Sequence, residues 1–130
     1  MRKKNNWRKG GKRTQFPKLF IYVKSTYNNT LITLTHHYKK TISWSSAGKV
    51  GFKNSKKSLP FAAQCIINKV KGYIRRVAYN KLVKVILKGQ GPGREASIRS
   101  IRHKGFIITT LQDISPLSYN GCRSPKPRRI

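Results

Sequence analysis

The stretch Gly89-Gln90-Gly91-Pro92-Gly93-Arg94-Glu95 sets three glycines in front of a segment that reads as a helix. A glycine turn feeding a helix N-terminus aims backbone N–H groups at an anion. A nucleotide P-loop needs Lys and Ser/Thr after its last glycine, where this chain has Arg94 and Glu95. The dinucleotide fingerprint fails as well, because the spacing is GxGxG and not GxGxxG. A tight strand-to-helix joint with no ligand is the competing explanation. Arg94, Arg99 and Arg102 on the helix favour the sugar–phosphate backbone of a nucleic acid. Catalysis has little to work with. Nucleases and polymerases hold two metals between several carboxylates, and the chain owns two acids, Glu95 and Asp113. Glu95 is explained as a helix-start residue and Asp113 as a strand-end residue. His36 and His37 are neighbours on a strand and point to opposite faces, while His103 stands alone. Cys65 and Cys122 lie far apart with no CxxC pair. The expectation is no enzyme, no metal, no cofactor, no small-molecule substrate and a reducing compartment.

Composition points to the partner. The chain has 130 residues with 30 Lys and Arg against 2 acids, a net charge of +28. Self-repulsion of that size opposes compaction unless a polyanion neutralises it, and a pI of about 11.2 is in the range of nucleic-acid-binding domains. An anionic membrane is disfavoured, since no apolar run approaches the roughly 18 residues of a spanning helix.

The elements that must position these residues follow from periodicity. Residues 1–15 hold no acid and almost nothing apolar besides Trp7, which predicts a disordered basic arm. The arm lacks the amphipathic pattern of a transit peptide. Its Arg2, Lys3, Lys4, Arg8, Lys12 and Arg13 are expected to reach into RNA grooves. The α/β core spans 16–114. Phe16–Thr26, Thr30–Tyr38 and Lys39–Ser46 are rich in β-branched and aromatic residues and read as an antiparallel meander. The first turn, Tyr27-Asn28-Asn29, uses Asn, which tolerates left-handed backbone angles. After a loop over Ala47–Pro60, Ala62, Ile66, Val70, Tyr73 and Val77 recur at helical spacing. Ser58 is the expected cap and Pro60 fits the first turn. Leu82–Lys88 reads as a buried strand. The second helix follows the glycine loop, with Pro92 in its first turn, Ala96, Ile98 and Ile101 as apolar contacts, and Gly105 just past its end. Phe106–Ile114 returns as a strand. Strand, helix, strand, helix, strand after a meander makes a mixed five-stranded α/β layer with two main helices. Residues 115–130 form an extended basic tail.

Two more segments suit RNA. Lys53, Lys56 and Lys57, interleaved with Gly48, Gly51, Phe52, Asn54 and Ser55, offer point charges, small donors and a ring for stacking on a base. Core packing is the alternative for Phe52. In the tail, Asn120-Gly121 marks a sharp turn. Pro125 and Pro127 then hold the chain extended while Arg123, Lys126, Arg128 and Arg129 project towards phosphates.

The segments STYNNTLITLT, WSSAGKVGFKNSKKSLPFAAQ, KGQGPGRE and YNGCRSPKPRRI occur in this order. By them the chain resembles the small-subunit ribosomal protein eleven family, from about Phe16 to Ile130. The resemblance implies a ribonuclease H-like α/β sandwich without catalysis. It implies a place on the small-subunit platform, near mRNA at the exit and E-site region and beside neighbouring platform proteins. It also implies rRNA contacts at Asn28, Asn29, Ser46, Gly48, Gly51, Lys53, Ser55, Lys56, Lys57, Gly91, Gly93, Arg94 and the tail. Gln90, Tyr119 and Ser124 depart from residues frequent in the family, and Tyr119 retains a ring able to stack on a base. The rival readings are a ribonuclease H-like nuclease, which the acid count opposes, and a general cationic polyanion binder. Frequent Asn, Lys, Ile and Tyr suggest an AT-rich coding sequence and hence an organelle. A mitochondrial ribosome is the first expectation, then a plastid, then the bacterial cytoplasm.

Overall fold

A computed structural model describes residues 19–36, 40–77 and 81–126. Three strands open the chain, β1 (Leu19–Ser25), β2 (Thr30–His36) and β3 (Thr41–Ser46). They are followed by α1 (Pro60–Val77), β4 (Leu82–Lys88), α2 (Gly93–His103) and β5 (Ile107–Asp113). The sheet order is β3-β2-β1-β4-β5, with β1–β2 and β2–β3 antiparallel and β1–β4 and β4–β5 parallel. This is the five-stranded mixed α/β sheet expected from the sequence.

Alternation decides which face is covered. Leu19, Ile21 and Val23 of β1, Ile32 and Leu34 of β2, and Val83, Val85 and Leu87 of β4 point to one face. They form one core with Ala62, Ile66, Ile67, Val70 and Ile74 of α1 and Ile101 of α2. Each fully buried Leu or Ile contributes about 1.5–3 kcal/mol relative to exposure. The stripe on α1 differs from the expected one. Ile67 and Ile74 take buried places, whereas Tyr73 is 47% exposed. The 3.6-residue turn rotates the apolar face towards 63, 66, 67, 70 and 74, and Tyr73 falls on its border. Ser58 does not cap α1. Its hydroxyl donates to the Ser55 carbonyl, 2.8 Å away, within the preceding 3-10 turn.

The second helix packs closely because it is small-sided. Ser97 and Ser100 are buried, and each hydroxyl donates back to the carbonyl four residues earlier, Gly93 and Ala96, at 2.7 Å. Its end is a Schellman motif. Phe106 N donates to Ile101 O and Gly105 N to Arg102 O, while Gly105 takes the left-handed φ of 79°. Ile101 and Phe106, the two apolar residues that bracket this motif, both lie in the core.

Candidate nucleic-acid interface

The topology gathers the segments singled out in the sequence. Strands β1, β3, β4 and β5 all run in the same direction, with β2 opposed. The register aligns Ser46, Leu31, Lys24 and Lys88 across the sheet, with Asp113 opposite Leu87. The β1–β2 turn, the loop after β3, the glycine loop after β4 and the tail after β5 therefore leave from one rim. In open α/β sheets this carboxyl edge is where ligands bind. Both helices carry the chain from this rim back to the opposite end.

At the turn, Asn28 is exposed and Asn29 half-buried. Neither takes a left-handed φ. Side chains close the turn instead. Thr26 Oγ1 donates to Asn29 O at 3.0 Å and accepts from Asn29 N at 3.1 Å, and Asn29 Oδ1 accepts from Thr30 N at 2.9 Å. Thr26 thus does what left-handed asparagines were expected to do.

The loop after β3 is more ordered than expected. It contains 3-10 turns at Gly48–Val50 and Asn54–Ser58. Ala47 N donates to Thr30 O at 3.1 Å, which pins the loop to β2. Ser46 Oγ accepts from Lys49 N at 3.3 Å. Gly48, Gly51, Lys53, Ser55 and Lys56 are exposed, and Lys57 is half-buried. Phe52 packs on the edge of the core, in a T-shaped contact with Phe61 at 6.1 Å, so core packing accounts for this ring.

The glycine loop has the close packing of a tight strand-to-helix joint, the competing explanation raised from the sequence. Gly91 N donates to Ser25 O at 3.1 Å, and both Gly91 and Gly93 are buried. A Cβ at Gly91 would collide with the Thr26 carbonyl oxygen, and one at Gly93 with Thr30 Oγ1. These glycines let the loop close onto the β1–β2 hairpin. The guanidinium of Arg94 is also engaged, with Nη1 donating to Gly89 O at 3.1 Å and Nη2 to Asp113 Oδ2 at 2.7 Å. That pair, with Ser115 N and Oγ donating to Asp113 Oδ1, holds the Asp113 carboxyl far below the ordinary carboxylate range. Glu95 meets Arg99 at 3.4 Å on an open surface, where such pairs contribute little. Both acids are thus matched to arginines, and the remaining cations have no carboxylate left to neutralise them.

The structure does not bring every candidate to the rim. Arg99 is exposed on α2 beside a groove of about 390 Å³ between the helices, lined also by Gln64, Asn68 and His103. Arg102 is exposed near the far end of α2, about 15 Å of helix from Pro92. In the tail, Tyr119 is 96% exposed, and Asn120 and Gly121 bend with φ of 64° and 40°. Arg123 and Lys126 are exposed. Arg2, Lys3, Lys4, Arg8, Lys12, Arg13, Arg128 and Arg129 lie outside the described residues, as does His37. Among the described residues, no three His, Cys, Asp or Glu side chains gather as a metal site. No helix there is long and apolar enough to cross a membrane.

The family model for ribosomal protein S11 matches residues 20–129. The chain belongs to the ribosomal protein S11 family. It is 47% identical over 116 residues to the small ribosomal subunit protein uS11c of Trieres chinensis, covering 85% of this chain and 84% of that one. It is 40% identical over 130 residues to the small ribosomal subunit protein uS11c of Lemna minor, covering 98% and 93% respectively. The family match takes in all four rim segments and leaves out the basic arm.

Within this S11 chain Trp44, Lys49 and Lys69 are brought together although none was a candidate from the sequence. Trp44 on edge strand β3 is 52% exposed, and the Lys49 ammonium lies 4.1 Å from its ring centroid, a cation–π contact. Lys69 Nζ donates to Lys49 O at 2.9 Å and ties α1 to the same loop. The signal for Trp44 was its place on the strand's non-core parity, opposite Thr33.

Proposed function

We propose that the chain is a structural constituent of the small ribosomal subunit that grips small-subunit rRNA along its carboxyl rim. The observation that carries this reading is the convergence of four candidate RNA-contacting segments on one edge of a strongly basic S11-family fold. Lys53, Lys56, Arg123 and Lys126 supply exposed cations. Asn28 and Ser55 supply short polar donors, and Tyr119 supplies a ring for stacking on a base. The function is scaffolding and not catalysis, since Asp113 and Glu95 face arginines and hold apart from one another on β5 and α2. Gly91 and Gly93 act through shape, by letting the rim close. Arg94 acts at the loop's outer side, where it is partly exposed.

The small-subunit platform is the proposed location, with mRNA near the tail and platform proteins as neighbours. The compartment is a plastid, because both relatives carry the chloroplast name uS11c. This replaces the mitochondrion suggested by composition, since an AT-rich signature does not separate the two organelles.

The test is binding of the intact chain to a small-subunit rRNA fragment across a salt series. A grip on six or more phosphates predicts about a thousandfold loss of affinity between ~50 and ~200 mM salt. Co-sedimentation with small subunits should survive a high-salt wash once the protein is incorporated. A flat salt response, or release from the subunit as readily as from any polyanion, would refute the proposal.

A further inference from the structure

We infer that Asp113 is a positioning residue for RNA binding: it touches no phosphate, and it aims the C-terminal tail. The inference rests on the reading that the tail contacts rRNA. A closed ring of hydrogen bonds joins three chain segments at the rim. Gly89 N donates to Ser115 Oγ at 2.8 Å, and Ser115 Oγ donates to Asp113 Oδ1 at 2.8 Å. Arg94 Nη2 donates to Asp113 Oδ2 at 2.7 Å, and Arg94 Nη1 returns to Gly89 O at 3.1 Å. Ser115 N also donates to Asp113 Oδ1 at 2.9 Å, and Ile114 N to Leu87 O at 2.8 Å. The end of β4, the start of α2 and the first residues after β5 are thereby locked together. The tail's direction is set where it leaves the sheet.

Charge alone argues the other way, and this makes the inference testable. A carboxylate at the root of a phosphate-binding tail repels RNA, so its removal should strengthen binding on purely electrostatic grounds. That field effect is one charge against a net of +28, screened over about 8 Å at physiological ionic strength. The geometric effect is larger. A tail released at its root samples many directions, and its effective concentration at its RNA site falls. Asp113 is partly exposed, so its pair with Arg94 adds little to global stability and acts on orientation.

The experiment compares full-length Asp113→Asn with Glu95→Gln, which removes the same charge from the other acid. Amide exchange is measured in the free protein, and affinity for a small-subunit rRNA fragment at fixed salt. Asp113→Asn should speed exchange at Gly89 and Ser115 by tenfold or more, with the unfolding midpoint little changed. It should also weaken RNA binding by on the order of tenfold. Glu95→Gln should do neither. Ser115→Ala, which removes the bridging hydroxyl without touching a charge, should weaken binding in the same direction and provides a second route if Asp113→Asn folds poorly. In a full-length Arg123→Gln, Lys126→Gln background, Asp113→Asn should cost little further affinity, a coupling that a merely structural role would not produce. The inference is overturned if Asp113→Asn binds RNA as tightly as wild type or tighter, if it matches Glu95→Gln, or if both amides keep their protection. Should Arg123→Gln, Lys126→Gln bind RNA like wild type, the tail-contact reading itself fails, and the exchange rates alone still decide whether Asp113 orders the tail root.

Discussion

Alanine at Gly93 tests whether the glycine loop is built for packing or for phosphate. The added Cβ would run into Thr30 Oγ1 and lie 3.2 Å from Thr30 Cβ and 3.3 Å from Ser25 Oγ. Thr30 cannot retreat. It is fully buried and paired with Ser25, its N–H is held by Asn29 Oδ1, and its carbonyl accepts from Ala47 N. Overpacking of this kind costs about 1–3 kcal/mol. Replacing a helical glycine returns up to ~1 kcal/mol of propensity. Gly93→Ala should therefore lose about 1–2 kcal/mol. Thr30→Ala removes the colliding oxygen, which is buried without a hydrogen-bond partner among the described residues, so its own cost should be small. The double variant should recover to within about 0.5 kcal/mol of wild type, which requires a coupling of about 1 kcal/mol or more. Urea unfolding at one fixed salt concentration, followed by circular dichroism, measures all four corners of the cycle. Additive losses would refute the steric argument. The rRNA affinity of the double variant separates the two roles: it returns with stability if the glycine serves packing, and stays low if the phosphate itself needs the bare backbone.

Gly72 lies within α1 with open space among the described residues where a methyl group would sit, so Gly72→Ala should stabilise the fold by about 0.5–1 kcal/mol in the same unfolding assay. Arg94→Glu places a carboxylate against Asp113 and breaks both of its links, so it should weaken rRNA binding more than Lys40→Glu on the exposed approach to β3; equal losses in a binding titration would show that the loop is not a specific grip. The Asp113 carboxyl is held below its ordinary range in the folded chain, so its stabilising effect is complete above the unfolded value of about 3.9 and is lost as pH falls through the folded value. The difference in local protection at the tail root between wild type and Asp113→Asn should accordingly be flat from about pH 8 to 5 and shrink below about pH 4, as read by amide protection factors at Gly89 and Ser115.

Local pattern carried much of the fold. The alternating run Thr30-Leu-Ile-Thr-Leu and the β-branched run Leu82–Lys88 fixed β2 and β4, and Pro60, Pro92 and Gly105 marked helix ends because their backbone constraints act on their own residues. The family resemblance supplied the candidate residues in the hairpin and loops. What stayed hidden depends on contacts between distant positions. Arg94 meets Asp113 only because β5 lies beside β4, and no spacing rule encodes a partner nineteen residues away. Gly91 and Gly93 resembled a phosphate cradle because a close approach to another backbone and a close approach to a ligand make the same demand for a missing Cβ. Phe52 was ambiguous for a similar reason, since a ring beside lysines can face a base or turn inward, and its turn towards Phe61 is a tertiary choice. Tyr73 was misplaced by one position on the helical wheel, where an amphipathic ring sits comfortably at the boundary.

Strand β5 closes one side of the sheet and pairs only with β4 among the described residues, with Ile107 and Leu111 more than half exposed. Such a border is a template on which another copy can add itself. Mutual repulsion between copies carrying +28 each guards against this at low ionic strength. The guard has a range of about 10 Å at 0.1 M salt and only about 3 Å at 1 M. Conditions that strip the chain from RNA therefore also expose it to self-association, and purification in strong salt should favour aggregates that dilution into low salt would not dissolve at once.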